Sequence, residues 1–204
     1  MNPNPAIEEI AKTYYDPGLP YHNFNHIGRV MAGADRILIR CRATKLPVNE
    51  DIVYYAVLFH DAGYRENHTG KGFATKEAYS AQIAERVLSE KGVDPTIIPS
   101  VKEAILGTQR DATLHTIEQK IVRAADLSAM ASDYRGFRKD AEDLRTEYEI
   151  LNGKKMSTPE WKQMVASHVE FYLSQIIHIT SSESSNTSEF HIYAKDNLER
   201  LLKE

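Results

Sequence analysis

Four residues of this chain have the types and the placement to do chemistry together. His60 and Asp61 are adjacent at the end of an apolar run, Val57-Leu58-Phe59. Neighbouring positions on a helix project about 100° apart, so the two side chains can take adjacent positions around one metal ion. Two ionisable groups at the end of a buried helix must be paired or coordinated, because burying them alone is costly. His26 stands near the start of an earlier helix, just after Tyr21-His22-Asn23-Phe24-Asn25. Asp126 falls within a further helical segment running from Ile121 to Met130, and a carboxylate buried inside a helix needs a strong partner. Two imidazoles and two carboxylates from three separate helices form a mixed N/O set. Such a set suits a borderline-to-hard divalent ion with positions left open for water and substrate. The plainer reading of His60-Asp61 is a satisfied core histidine beside a helix-terminal aspartate, and the dipeptide alone does not separate the two.

Composition directs the search to these residue types. The 204 residues include 8 His and a single Cys, Cys41. One cysteine can form neither an internal disulfide nor a cysteine-based metal site, so any metal must be held by His, Asp and Glu. The 25 basic and 29 acidic residues leave a net charge of −4, which disfavours a nucleic-acid polymer or a membrane surface as partner. The first residues, Met1-Asn2-Pro3-Asn4-Pro5, have neither the charge nor the apolar stretch of a targeting segment. The longest apolar run, Val53 to Phe59, is too short to span a bilayer. A soluble, cytoplasmic protein is expected.

The elements that would carry the four residues are helical. Asn4-Pro5 opens a helix towards residue 15, and Asp16-Pro17-Gly18-Leu19-Pro20 breaks it. A helix over 25–42 carries His26. Asn49 caps one over 50–64 that is apolar nearly all round and therefore central. Thr75 caps a helix over 76–91 that Gly92 ends, and Asp94-Pro95 opens another to about 107. Thr116 opens a helix through Asp126 to about 132, and Asp133 caps one that Gly153 stops. Ser157 and Glu160 form a capping box for a helix to about 178. A serine-rich link over 181–188 precedes an amphipathic helix over 189–203, with Phe190, Tyr193, Ala194, Leu198 and Leu201 facing inward. No period-two run stands out. The fold class is all-α: a helical core over 1–180, the link, and a C-terminal helix over 189–204 docked on the core.

The order of these residues resembles the HD superfamily of metal-dependent phosphohydrolases, and more closely a bacterial branch of predicted HD hydrolases. The resemblance rests on Tyr21-His22 before His26, then Phe59-His60-Asp61-Ala62-Gly63-Tyr64, then Lys76-Glu77-Ala78-Tyr79-Ser80-Ala81. Asp126, Arg145-Thr146-Glu147-Tyr148 and Ala194-Lys195-Asp196-Asn197-Leu198 continue it, so that it covers most of the chain. It implies an HD-domain helical bundle in which His26, His60, Asp61 and Asp126 bind one divalent ion (Mn, Mg, Fe, Co, Ni or Zn). The implied reaction is attack of a metal-activated water on a small phosphorylated substrate, a phosphomonoester or nucleotide. Asp61 would take the proton, with Glu77 as a second candidate base whose plainer role is capping its helix. His22, Arg65, Lys71, Lys76 and Arg110 are the candidates to hold substrate. The chain departs from the branch at Asp111, where a histidine is usual. Only His68 and His115 lie between the His-Asp pair and Asp126, which favours one ion over two. A non-catalytic HD fold that binds or senses a nucleotide, an HD-type di-iron oxygenase and a helical interaction module are the competing readings.

Overall fold

Polar caps set where the helices begin. Asn4 accepts a hydrogen bond from Ile7 N–H and starts α1 (Pro5–Lys12). Asn23 accepts from the amides of Asn25 and His26 at the head of α2 (Phe24–Ala43). Asn49 accepts from Asp51 and Ile52 at α3 (Glu50–Phe59), and Thr75 from Ala78 at α4 (Lys76–Glu90). Each side-chain oxygen satisfies amides that a helix start leaves without partners. α5 (Ile98–Leu106) and α6 (Ile117–Asp126) follow, and a 3₁₀ segment covers Leu127–Ala131. Asp133 caps α7 (Tyr134–Asn152), the Ser157–Glu160 capping box starts α8 (Thr158–Leu173), and Ser188 caps α9 (Glu189–Lys203).

The computed structural model describes residues 1, 3–177 and 188–204. Among them every regular element is helical, so the all-α class holds. The serine-rich link over 181–188 lies outside the described residues apart from Ser188, and α8 ends at Leu173, short of the expected 178. No helix among the described residues is long and apolar enough to cross a membrane. The chain divides into two compact units. One comprises Met1–Gly18 and His22–Asp126, the other Leu19–Tyr21 and Leu127–Glu204.

In the first unit α3 is the hub, packed against α1, α2, α4, α5 and α6. Every residue from Ile52 to Phe59 is buried, as an all-round apolar helix requires. The helix is shorter than the sequence pattern indicates, ending at Phe59 instead of running to 64, because neighbouring segments capture its last groups. Gly63 N–H donates to Tyr14 O at 3.0 Å. The Tyr15 hydroxyl donates to Leu58 O at 2.8 Å, and Ser80 Oγ donates to Ala62 O at 2.9 Å. Gly63 itself has φ +75°, a conformation that costs any residue with a Cβ. α1 stops at Lys12 and α5 begins only at Ile98, since Asp94 accepts from the amide and hydroxyl of Thr96 in a local turn.

The connection between α5 and α6 is held by Arg123, which is buried. Its Nε donates to Gly107 O at 2.8 Å, and its guanidinium also donates to the carbonyls of Gln109 and Arg110. These bonds fix the rotation of α6 and therefore the direction of Asp126, one turn further on.

In the second unit α9 packs on α7, α8 and the 3₁₀ segment. Its inward face differs from the sequence expectation at one position. Tyr193 is exposed, while His191 and Asn197 are buried beside Ala194, Leu198 and Leu201. Asn197 earns that place by donating to the carbonyls of Met130 and Ser132 at 3.0 and 2.8 Å. His191 contacts the Ser188 hydroxyl through Nδ1 and Gln175 O through Nε2. Glu147 is buried and accepts the Tyr21 amide at 3.1 Å, Arg145 pairs with Glu149, and Tyr148 is exposed.

A Cβ built on Gly63 would lie 2.6 Å from Tyr79 Cε1 and 2.9 Å from Ile83 Cδ1. Gly63→Ala therefore adds overpacking to an unfavourable φ, and is expected to lower stability by about 2–5 kcal/mol. Urea unfolding monitored by circular dichroism measures it.

Candidate metal centre

Three elements of the first unit bring the centre together. His26 lies in the first turn of α2, His60 at the C-cap of α3 with Asp61 next to it, and Asp126 is the last residue of α6. Asp126 thus ends its helix, where the sequence pattern puts it in the interior. A carboxylate there faces the negative end of the helix dipole, so it needs positive partners from elsewhere.

The partners are the two imidazoles. Asp126 Oδ1 is 3.4 Å from His26 Nε2 and 3.4 Å from His60 Nε2. Asp61 Oδ2 is 3.1 Å from His60 Nε2 and 3.5 Å from His26 Nε2. Donors bound to one first-row ion at about 2.1 Å stand roughly 3.0–3.4 Å apart in octahedral or tetrahedral arrangement. Three of the four separations fall in that range and the fourth, His26 to Asp61 at 3.5 Å, lies just beyond it. His26, His60 and Asp126 each offer one ligand atom within 4.8 Å of the others, forming a group able to hold a metal; Asp61, the fourth expected ligand, is not part of that group and approaches it through the two imidazoles.

The orientation of His60 supports the same use. Its Nδ1 meets Val57 O at 2.9 Å, which assigns a proton to Nδ1 and aims Nε2 into the centre. His60 Nε2 is buried and makes no hydrogen bond of acceptable geometry, despite the two carboxylates beside it. A ligand histidine is held in this way by its second nitrogen, and an orphaned buried nitrogen otherwise has a cost.

The charges of these groups act on one another at close range. Burial disfavours the charged form of His60, but Asp61 and Asp126 outweigh it and hold the group well above the usual histidine value. Burial dominates at His26 and lowers its pKa. Burial also acts against both carboxylates, yet His60 above all keeps them below the usual range, helped by His22 at Asp61 and by His26 at Asp126. Both remain anionic. Tyr15, fully buried, is pushed up first by burial and then by the Asp61 charge, and its oxygen also accepts the Asp61 amide. That residue, with Ser80 and Gly63, shapes the turn that presents Asp61. None of the three has a metal-ligating side chain, so residue type alone does not mark them.

The centre is asymmetric. The side chains of His26 and His60 are 2% and 1% exposed, those of Asp61 and Asp126 18% and 25%. Its open edge is therefore on the carboxylate side. His22 stands there, with Nε2 4.0 Å from Asp61 Oδ2 and its ring stacked on Tyr64 at 3.7 Å and 13°. The Lys76 ammonium lies 3.8 Å from the same Tyr64 ring centre. The other basic candidates are placed differently. Arg65 pairs with Asp16, and Lys71 pairs with Glu66 at 2.8 Å. Arg110 is exposed in the α5–α6 connection, where its carbonyl accepts from Arg123. Glu77 is half-buried in the first turn of α4, where its charge favours the helix start. Asp111 accepts from Gln109 Nε2 in an exposed turn, and neither His68 nor His115 joins the metal-competent group.

No family model matches the chain, and no curated protein matches its sequence.

Two variants test the centre by binding alone. His60→Ala is expected to abolish binding of Mn²⁺. Tyr15→Phe, which removes the hydroxyl donor holding the turn, is expected to weaken it about 10–100-fold. Titration calorimetry on protein stripped with a chelator reads both.

Proposed function

We propose that the protein is a metal-dependent phosphohydrolase built as an HD-type helical bundle, acting in the cytoplasm on a small phosphomonoester or nucleotide. One divalent ion would be held by His26, His60, Asp61 and Asp126. The observation that carries this reading is the asymmetry of the centre: two buried imidazoles, one with an orphaned nitrogen, behind two carboxylates that reach solvent. A centre meant only to hold helices together has no need of an open, anionic edge. The absence of His68 and His115 from the group favours one ion over the two of an oxygenase.

A divalent ion in this donor set would act as a Lewis acid towards a phosphoryl oxygen and would lower the pKa of a bound water. The residues of the chain supply the remainder. The bond from His60 Nδ1 to Val57 O keeps the ring in one tautomer, and Tyr15 holds the Asp61 backbone. Asp61, kept anionic and partly exposed, is placed to accept a proton from the attacking water; Glu77 is the second candidate. His22, at the same edge, is placed to contact a substrate oxygen.

The test is a panel of phosphomonoesters and nucleotides offered to protein loaded in turn with Mn, Mg, Fe, Co, Ni and Zn. Turnover is expected with at least one pair. His60→Ala and Asp61→Ala are each expected to lower it about 10³-fold, the equivalent of several kcal/mol of lost transition-state stabilisation, while helical circular dichroism persists. No turnover across the panel, or full activity in His60→Ala, would overturn the reading.

A further inference from the structure

Lys76 is out of place by the rules that build helices. It is the first residue of α4, where the helix dipole disfavours a cation. Arg65 and Lys71, in the same stretch of chain, each have a carboxylate partner. Among the described residues, no carboxylate lies within 4.0 Å of the Lys76 ammonium, which rests on the Tyr64 ring. Tyr64 in turn carries His22. Two groups within 4 Å of one ring centre must take opposite faces, so the three side chains form a column: His22, Tyr64, Lys76. The His22 end stands 4.0 Å from Asp61, at the open edge of the metal centre.

This column sets a distance. Lys76 is separated from the His22 ring by two stacking steps of 3.7 and 3.8 Å. It is too far to share an oxygen bound at the centre. A lysine is a point charge on a flexible stem, and its contact with the half-buried Tyr64 ring is weak enough to be exchanged for an anion. We propose that Lys76 recognises a second anionic group on the substrate, several ångströms from the phosphoryl group held at the metal centre. The substrate class is then a phosphomonoester that also carries a further phosphate or a carboxylate. This rests on the phosphohydrolase reading for what happens at the centre, but the recognition itself needs no turnover. Glu77, next in the chain, projects about 100° away around the helix, which leaves the ammonium free to meet an anion.

The experiment uses two inert probes with Mn²⁺-loaded full-length protein: methylphosphonate, with one anionic group, and propane-1,3-diphosphonate, with two. Calorimetry is expected to give the diphosphonate about tenfold tighter binding, the value of one charge-assisted hydrogen bond. Lys76→Gln should remove most of that preference, and Lys76→Arg should keep it. Equal affinity for the two probes in the wild-type protein would overturn the proposal. So would a Lys76→Gln variant that retains the preference or weakens both probes by the same factor. A preserved, Lys76-dependent preference in a protein that hydrolyses no phosphoester would uphold the recognition and sink only the hydrolase reading.

Discussion

The ring of His60 is held from behind. Its Nδ1 meets the Val57 carbonyl, so its other nitrogen must point at two carboxylates while buried among apolar helices. Burial of that kind is tolerable only with strong compensation, and much of the first unit supplies it. α3 is surrounded by five other helices that keep the ring dry. α2 delivers His26 from its first turn, and α6 ends where Asp126 can reach both imidazoles. Arg123 fixes α6 by binding three carbonyls of the preceding connection.

The same constraint explains why α3 ends early. A helix continuing past Phe59 would keep its last carbonyls for itself. Instead the Tyr15 hydroxyl takes that of Leu58 and Ser80 takes that of Ala62, while Gly63 turns the chain where a side chain would strike Tyr79 and Ile83. The turn brings Asp61 beside its own neighbour, 3.1 Å from His60 Nε2. Tyr64, two residues after Ala62, then becomes the slab on which His22 and Lys76 rest. Centre and mouth are consequences of one turn.

Much of this was readable from residue order, and the reasons are local. Asn4, Asn49, Thr75, Asp133 and Ser157 cap helices where their side chains alone predict it. The apolar run of α3 announces a central helix. His26, His60 and Asp126, chosen for type and setting, do converge. The helix ends were less readable. α1, α3 and α8 stop short of the ends that the sequence pattern indicates, because tertiary hydrogen bonds or local hydroxyls take over their last carbonyls. On α9 the helical period selects Tyr193 for the core, but Asn197 is buried because the carbonyls of Met130 and Ser132, in and just after the 3₁₀ segment, need its amide.

By itself, the sequence determined the helical class, the capped helix starts and the absence of any cysteine-based site, since these depend on composition and on contacts within a few residues. Only the tertiary structure decided which cations are engaged and which edge of the centre is open. Arg65, Lys71 and Lys76 look alike in the chain, yet two meet carboxylates and the third meets an aromatic face. The partners of Arg65 and of the Asp61 turn lie some fifty residues away along the chain. Pairings over that range are set by how helices pack, which neighbouring residues do not encode.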